Sequence, residues 1–268
     1  MVNSYNIDFK DIKLLLDAKT AQYNVLDFIA LDPILLPHRF SNKQDKEIIA
    51  FIVSLIAWGK RKMIIDNGEK LIQIMSNAPY EYVMEYETGM LEENSFTHRT
   101  FNTTDLDFVL RALKQCYTDH YSLEDWFYLR PDEKGVKQRI INFRNEFLQV
   151  PHEKRSEKHI ANPEKGSAAK RINMFLRWMV RKDTNGVDFG IWNRIPMYEL
   201  CVPLDVHTGN VARTLGLITR KQNDWKAIEE LMENLRKMDP NDPCKYDFAL
   251  FGLGVNNELE GISEKLQG

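Results

Sequence analysis

Residues 45–58 read DKEIIAFIVSLIAW. After the acidic start, every position from Ile48 to Trp58 except Ser54 is apolar, so on a helix the apolar side chains run round the axis instead of forming one stripe. That pattern predicts a helix buried on nearly all sides at the centre of the fold. Gly59 then ends it, and KRKMIIDNGEKLIQIM (60–75) starts another. The apolar run 48–58 reaches about half of the roughly 20 residues that a membrane span requires.

Outward from this segment, helical periodicity dominates. In FKDIKLLLDAKTAQY (9–23), Phe9, Ile12, Leu15 and Leu16 recur at spacings of three and four. Further helices are predicted over 79–87, 105–119, 122–128, 136–149, 167–182, 208–216, 223–237 and 243–251. Asp-Pro and Asn-Pro pairs break the chain between them. Alternating strand patterns are scarce, and there is no repeat or long linker. The expectation is therefore one all-α domain over 1–268, with two helical lobes, roughly 45–150 and 1–44 plus 151–268, around a groove.

The composition is that of a globular protein, 43% hydrophobic and 28% charged. The N-terminal MVNSYNIDFK lacks the apolar segment of a signal peptide, so a cytoplasmic location is expected. Cys116, Cys201 and Cys244 stand far apart with no C-x-x-C pair, which excludes the usual zinc and cluster loops and predicts three reduced thiols. A net charge of -3 argues against a uniformly basic nucleic-acid binder. Between His152 and Lys182, however, nine Lys or Arg stand against three Glu, so this stretch is +6 and the rest of the chain -9.

Two motifs lie in and after that basic stretch. KGSAAKRINMFLRWMVRKD (165–183), wound as a helix, places Ile172, Phe175, Leu176 and Met179 on one side and Lys170, Met174, Arg177 and Arg181 on the other. Lys170 is then a cation in a first helical turn. The macrodipole opposes it there by about 0.3–1 kcal/mol, a field that favours the neutral amine a nucleophile needs. In CVPLDVHTGNVARTLGL (201–217), Asp205 stands where a helix N-cap belongs. A capping carboxylate can also stabilise positive charge developing on a substrate.

This pair of motifs resembles the helix-hairpin-helix DNA glycosylase superfamily. Its members carry G-x-x-x-K, matched by Gly166-Ser-Ala-Ala-Lys170, and V-[DP]-[TV]-H-x-x-R-[VI]-x-x-R-L-G-L. The second is matched by Val202-Pro-Leu-Asp205-Val-His207 with Val211-Ala-Arg213-Thr-Leu215-Gly216-Leu217. AFIVSLIAWGKRKMI (50–64), FTHRTF (96–101) and YDFALFGLG (246–254) are similar to its central helix and insertion loop, its aromatic-arginine turn and its late apolar helix. The chain as a whole also resembles a bacterial family of unknown function. Two features depart from the glycosylases: NPEKGSAAK has one glycine where the hairpin typically has two, and 34 residues separate Lys170 from Asp205. Absence of the iron-sulfur cysteine loop groups the chain with the cluster-free, 8-oxoguanine-type branch.

The resemblance implies base-excision repair by a DNA glycosylase and AP lyase, with Lys170 as Schiff-base nucleophile and Asp205 as catalytic carboxylate. It implies duplex DNA with a damaged base as partner, reached by base flipping. No metal, cofactor or membrane is called for, and a monomer on the nucleoid is preferred. Backbone contacts are expected from Lys60, Arg61, Lys165, Gly166 and Ser167. Arg171, Arg177, Arg181, His207 and Arg213 would extend them. Trp58, Trp178, Trp192 and Phe251 are the rings proposed for the base pocket or wedge. Two alternatives stay open: a non-catalytic nucleic-acid-binding protein on the same fold, and a helical module whose basic stripe docks an acidic protein.

Overall fold

The computed structural model describes residues 8–258, and they form an all-α protein. In chain order the α-helices are α1 (Phe9–Tyr23), α2 (Lys43–Ile56), α3 (Arg61–Ile74), α4 (Pro79–Glu85) and α5 (Thr103–Asp119). They continue with α6 (Gly135–Phe147), α7 (Lys170–Val180), α8 (Val206–Thr214), α9 (Trp225–Met238) and α10 (Tyr246–Val255). Among the described residues the one sheet is a two-stranded hairpin pairing Thr97–His98 with Phe101–Asn102. No helix among them is long and apolar enough to cross a membrane.

The chain divides into two compact units, one of residues 29–164 and one of 1–28 with 165–268. These boundaries fall about fifteen residues from those expected at 44 and 150. In the 29–164 unit, α2 is buried on every side from Glu47 to Ile56, as its unbroken apolar run requires. Asn42 caps it by accepting from the Gln44 amide. Glu47 is tolerated there because Tyr117 Oη (2.8 Å), Ser122 Oγ (2.6 Å) and the Leu123 amide (3.1 Å) all donate to its carboxylate. Around α2 packs an aromatic cluster in which Phe127 stacks on Phe143 at 4.2 Å and Phe51 meets Phe143 and Phe147. Residues 122–128, expected as an α-helix, form a tighter 3-10 turn over Leu123–Phe127, because the Ser122–Asp125 capping box closes it within one turn.

In the other unit, α10 packs against both α1 and α8. Its apolar sequence buries Tyr246 to Leu250 and Leu253, and two glycines set how near its neighbours come. A methyl on Gly252 would run into the Tyr23 ring of α1, and one on Gly254 would stand 2.9 Å from the His207 Cβ of α8. The stripe of α9, Trp225, Ile228, Leu231, Met232, Leu235 and Met238, is buried at the helical period. Each such side chain stabilises the fold by about 1.5–3 kcal/mol. Three thiols are free and buried, and burial pushes that of Cys201 up to about 12.

Candidate active site

The site grows from the starts of α7 and α8. The expected helix over 167–182 begins only at Lys170, because the backbone turns left-handed twice before it, at Gly166 (φ +87°) and at Ala169 (φ +46°). Gly166 suits that conformation; Ala169 carries a side chain into it and is buried. The Ala169 amide donates to Ser167 Oγ at 3.1 Å, and Asn173 Nδ2, one turn into α7, donates to the Ala168 carbonyl at 3.0 Å. The turn is thereby closed by its own side chains, and it delivers Lys170 as the first helical residue.

Asp205 is the N-cap of α8, accepting from the Thr208 amide at 2.9 Å. Lys170 Nζ lies 3.4 Å from Asp205 Oδ2, with the lysine side chain 36% exposed and the carboxylate 14%. Two side chains with 34 residues between them in sequence thus meet at two helix N-termini, one still open to solvent.

A second connection fixes this geometry. The α8–α9 loop bridges to the turn before Lys170 at Ser167 and Asp224, where the Trp225 amide donates to the Gly166 carbonyl at 3.0 Å. Asn223 Nδ2 donates to the Asp205 carbonyl at 2.7 Å while its Oδ1 accepts from Arg213 at 2.5 Å. A methyl on Gly209 would come within 2.6 Å of that Asn223 oxygen. Asn223 carries no motif signal, and only the closure of the α8–α9 loop reveals it.

The predicted contact residues divide. Lys165, Ser167 and His207 are exposed, and Gly166 and Arg171 half-buried. Desolvation brings the Arg171 guanidinium down to about 10. Arg213 also donates to the Arg220 carbonyl at 2.8 Å, so it holds the loop. Arg177 and Arg181 are a correction: expected on an exposed stripe, they are buried. Arg177 pairs with Asp188 at 3.1 Å and with Asp247, and Arg181 with Asp183, Asp188 and Asp242 at 2.8–3.0 Å. Both guanidiniums lie over the Phe248 ring, at 4.5 and 5.3 Å. The helix presents that stripe to four carboxylates from neighbouring segments and not to solvent.

Two of the four ring candidates are corrected in the same way. Trp178 and Trp192 are core, the latter edge-on to Phe175 at 5.2 Å. Phe251 is half-buried, with its ring 6.5 Å from that of His207. One turn before it, Asp247 is buried; desolvation raises its carboxyl to about 6, with Arg177 opposing and Asp205 reinforcing the rise. Trp58, Lys60 and Arg61 belong to the 29–164 unit. There Trp58 is half-buried, stacked on His159 at 6.0 Å and edge-on to His98 at 4.9 Å. Lys60 is exposed at the start of α3. Asp105 of that unit pairs with Arg155 at 3.0 Å and with His159, and its carboxyl falls to about 2; burial works against that fall, and His159 and Ser156 drive it. Part of the +6 stretch is thus engaged inside the protein.

No curated protein and no solved structure matches the chain. The profile of one family, described as protein of unknown function (DUF2400), matches residues 32–256, a span that holds Lys170, Asp205 and the loop that joins them, and the chain belongs to that family.

Proposed function

We propose that this protein is a DNA glycosylase and AP lyase of base-excision repair, in the manner of the helix-hairpin-helix superfamily, with Lys170 as nucleophile and Asp205 as the charge-stabilising carboxylate. The observation that carries the reading is the 3.4 Å approach of Lys170 Nζ to Asp205 Oδ2 at the N-termini of α7 and α8. A lysine that served only the fold has little reason to open a helix, where the macrodipole opposes it.

In this mechanism the solvent-reachable Lys170 ammonium first releases its proton, and the amine attacks C1′ of the flipped nucleotide. The C1′–N bond to the base breaks, its electron pair leaves with the base, and the base takes up a proton. Asp205, held by the Thr208 amide, stabilises the oxocarbenium-like charge as it develops. Opening of the sugar ring gives the Schiff base, and loss of a C2′ proton expels the 3′ phosphate by β-elimination. Phe251, the ring candidate near His207, would then face the extruded base. The work is done on cytoplasmic, nucleoid DNA.

The test is borohydride trapping on duplexes carrying 8-oxoguanine, uracil or an abasic site. A covalent adduct that disappears in Lys170→Gln supports the reading. DNA binding without an adduct on any substrate would sink it and leave a non-catalytic phosphate contact for Lys170. No affinity for DNA at low salt would point to a protein-docking module.

A further inference from the structure

A polar cavity of about 590 Å³ opens on the α8–α9 connection, lined by Thr219, Arg220, Lys221, Gln222, Lys226 and Glu230. Its charged groups are not equivalent. The Glu230 carboxylate faces the loop backbone, accepting from the Thr219 amide and Oγ1 at 2.7 Å each and from the Arg220 amide at 3.3 Å. Arg220 is held by Asp224, Nε to Oδ1 at 2.6 Å, which neutralises it. Lys221 and Lys226 are exposed and make no ion pair among the described residues. The cavity therefore has a fixed floor and two uncompensated ammonium groups, an arrangement complementary to a phosphate, which accepts from several donors at once.

The loop that forms this cavity is the one that ties the candidate site together. Asp224 bridges to Ser167, Trp225 donates to Gly166, and Asn223 holds the Asp205 carbonyl. A phosphate seated at Lys221 and Lys226 would thus lie on the segment that joins the Gly166 turn to Asp205. We propose that the cavity binds a phosphodiester group of the duplex on which Lys170 and Asp205 act, as a second backbone contact beside the Gly166 turn. This inference rests on the glycosylase reading of that pair. The nearness of the turn and the open, solvent-facing position of both lysines favour a phosphate within a continuous strand over a free one.

The experiment measures binding of the full chain to a labelled duplex with an abasic analogue across a salt series. Wild type is compared with Lys221→Gln/Lys226→Gln and with Lys237→Gln, an exposed α9 lysine paired to Glu233 outside the cavity. The double variant should bind about tenfold more weakly near 0.1 M salt, and its log K against log salt slope should shrink by about 0.9 for each phosphate lost. Lys237→Gln should behave as wild type in affinity, in salt slope and in adduct formation. Unchanged affinity and slope in a double variant that melts like wild type, repeated in Lys221→Glu/Lys226→Glu, would overturn the inference while the glycosylase reading stood. Wild type that binds DNA but forms no adduct would overturn the glycosylase reading alone. Displacement of DNA by micromolar inorganic phosphate, lost in the double variant, would assign the cavity to a free phosphate compound and overturn the proposal.

Discussion

The two ends of α7 carry the same kind of residue and put it to opposite uses. Lys170 opens the helix with its side chain 36% exposed and one carboxylate beside it at 3.4 Å. Arg177 and Arg181, two and three turns on along the same projected stripe, are buried among Asp183, Asp188, Asp242 and Asp247. A helical wheel gives direction around the axis. It does not say what stands opposite, and here solvent faces one end and packed acid the other. The lesson is that charge on a helix becomes a candidate for chemistry where solvent still reaches it, and not where packed carboxylates enclose it.

The largest expected effect breaks the comparison at its open end. Lys170→Gln should abolish the borohydride adduct completely while leaving thermal stability within about 1 kcal/mol, since the lysine end of the pair reaches solvent and Asp205 keeps the Thr208 amide. Melting curves run beside the trapping gel check both halves. Loss of folding in Lys170→Gln would mean the lysine is structural after all.

At the closed end the expectation reverses. Arg177→Met removes one partner of a buried ion network and leaves Asp188 and Asp247 facing an apolar side chain, at a cost of about 3–5 kcal/mol. Chemical denaturation would measure it. A loss below about 1 kcal/mol would show that the guanidinium is better solvated than its burial implies.

The difference between the ends also marks what the sequence made legible. The apolar circuit of α2 and the core side of α7, Ile172, Phe175, Leu176 and Met179, could be read because burial follows from side-chain type and period alone. Lys170 and Asp205 could be singled out by motif, yet their meeting could not, because it depends on how the 34 residues between them return the chain. The carboxylates that claim Arg177 and Arg181 come from 183–188 and 242–247, and no local pattern announces such partners. Asn223 was invisible for the same reason. The late start of α7 was hidden by Ala169, since alanine is the strongest helix former and here adopts a left-handed turn.

The buried network should also respond to pH in a definite direction. The Asp247 carboxyl is raised to about 6 by burial, against about 3.9 unfolded. The folded state therefore keeps a proton that the unfolded state has lost. Its contribution is complete below about pH 4 and disappears as pH rises through about 6, about 3 kcal/mol in all. In Asp247→Asn that slope should be missing, so the variant should gain on wild type from about pH 4 to about pH 6 and level off above it in parallel thermal melts. Parallel profiles would mean Arg177 keeps Asp247 ionised throughout.

The smallest effects sharpen the open end, where the turn before Lys170 passes twice through left-handed backbone. A methyl on Gly166 would meet nothing within 4 Å, so Gly166→Ala carries only the backbone penalty, about 1 kcal/mol. Ala169→Gly relieves a penalty of the same kind but loses a buried methyl worth about 0.8 kcal/mol, so the two terms nearly cancel. Stability should therefore fall by about 1 kcal/mol in the first variant and hardly move in the second. Activity should separate them differently, because Gly166 accepts from Trp225 and shares its turn with the cavity loop, whereas Ala169 immediately precedes the nucleophile. If trapping is slowed more by Ala169→Gly than by Gly166→Ala, the rigid approach to Lys170 matters more to the chemistry than the stability of the turn itself. The reverse order would place the sensitivity in the loop that joins Gly166 to Asp205.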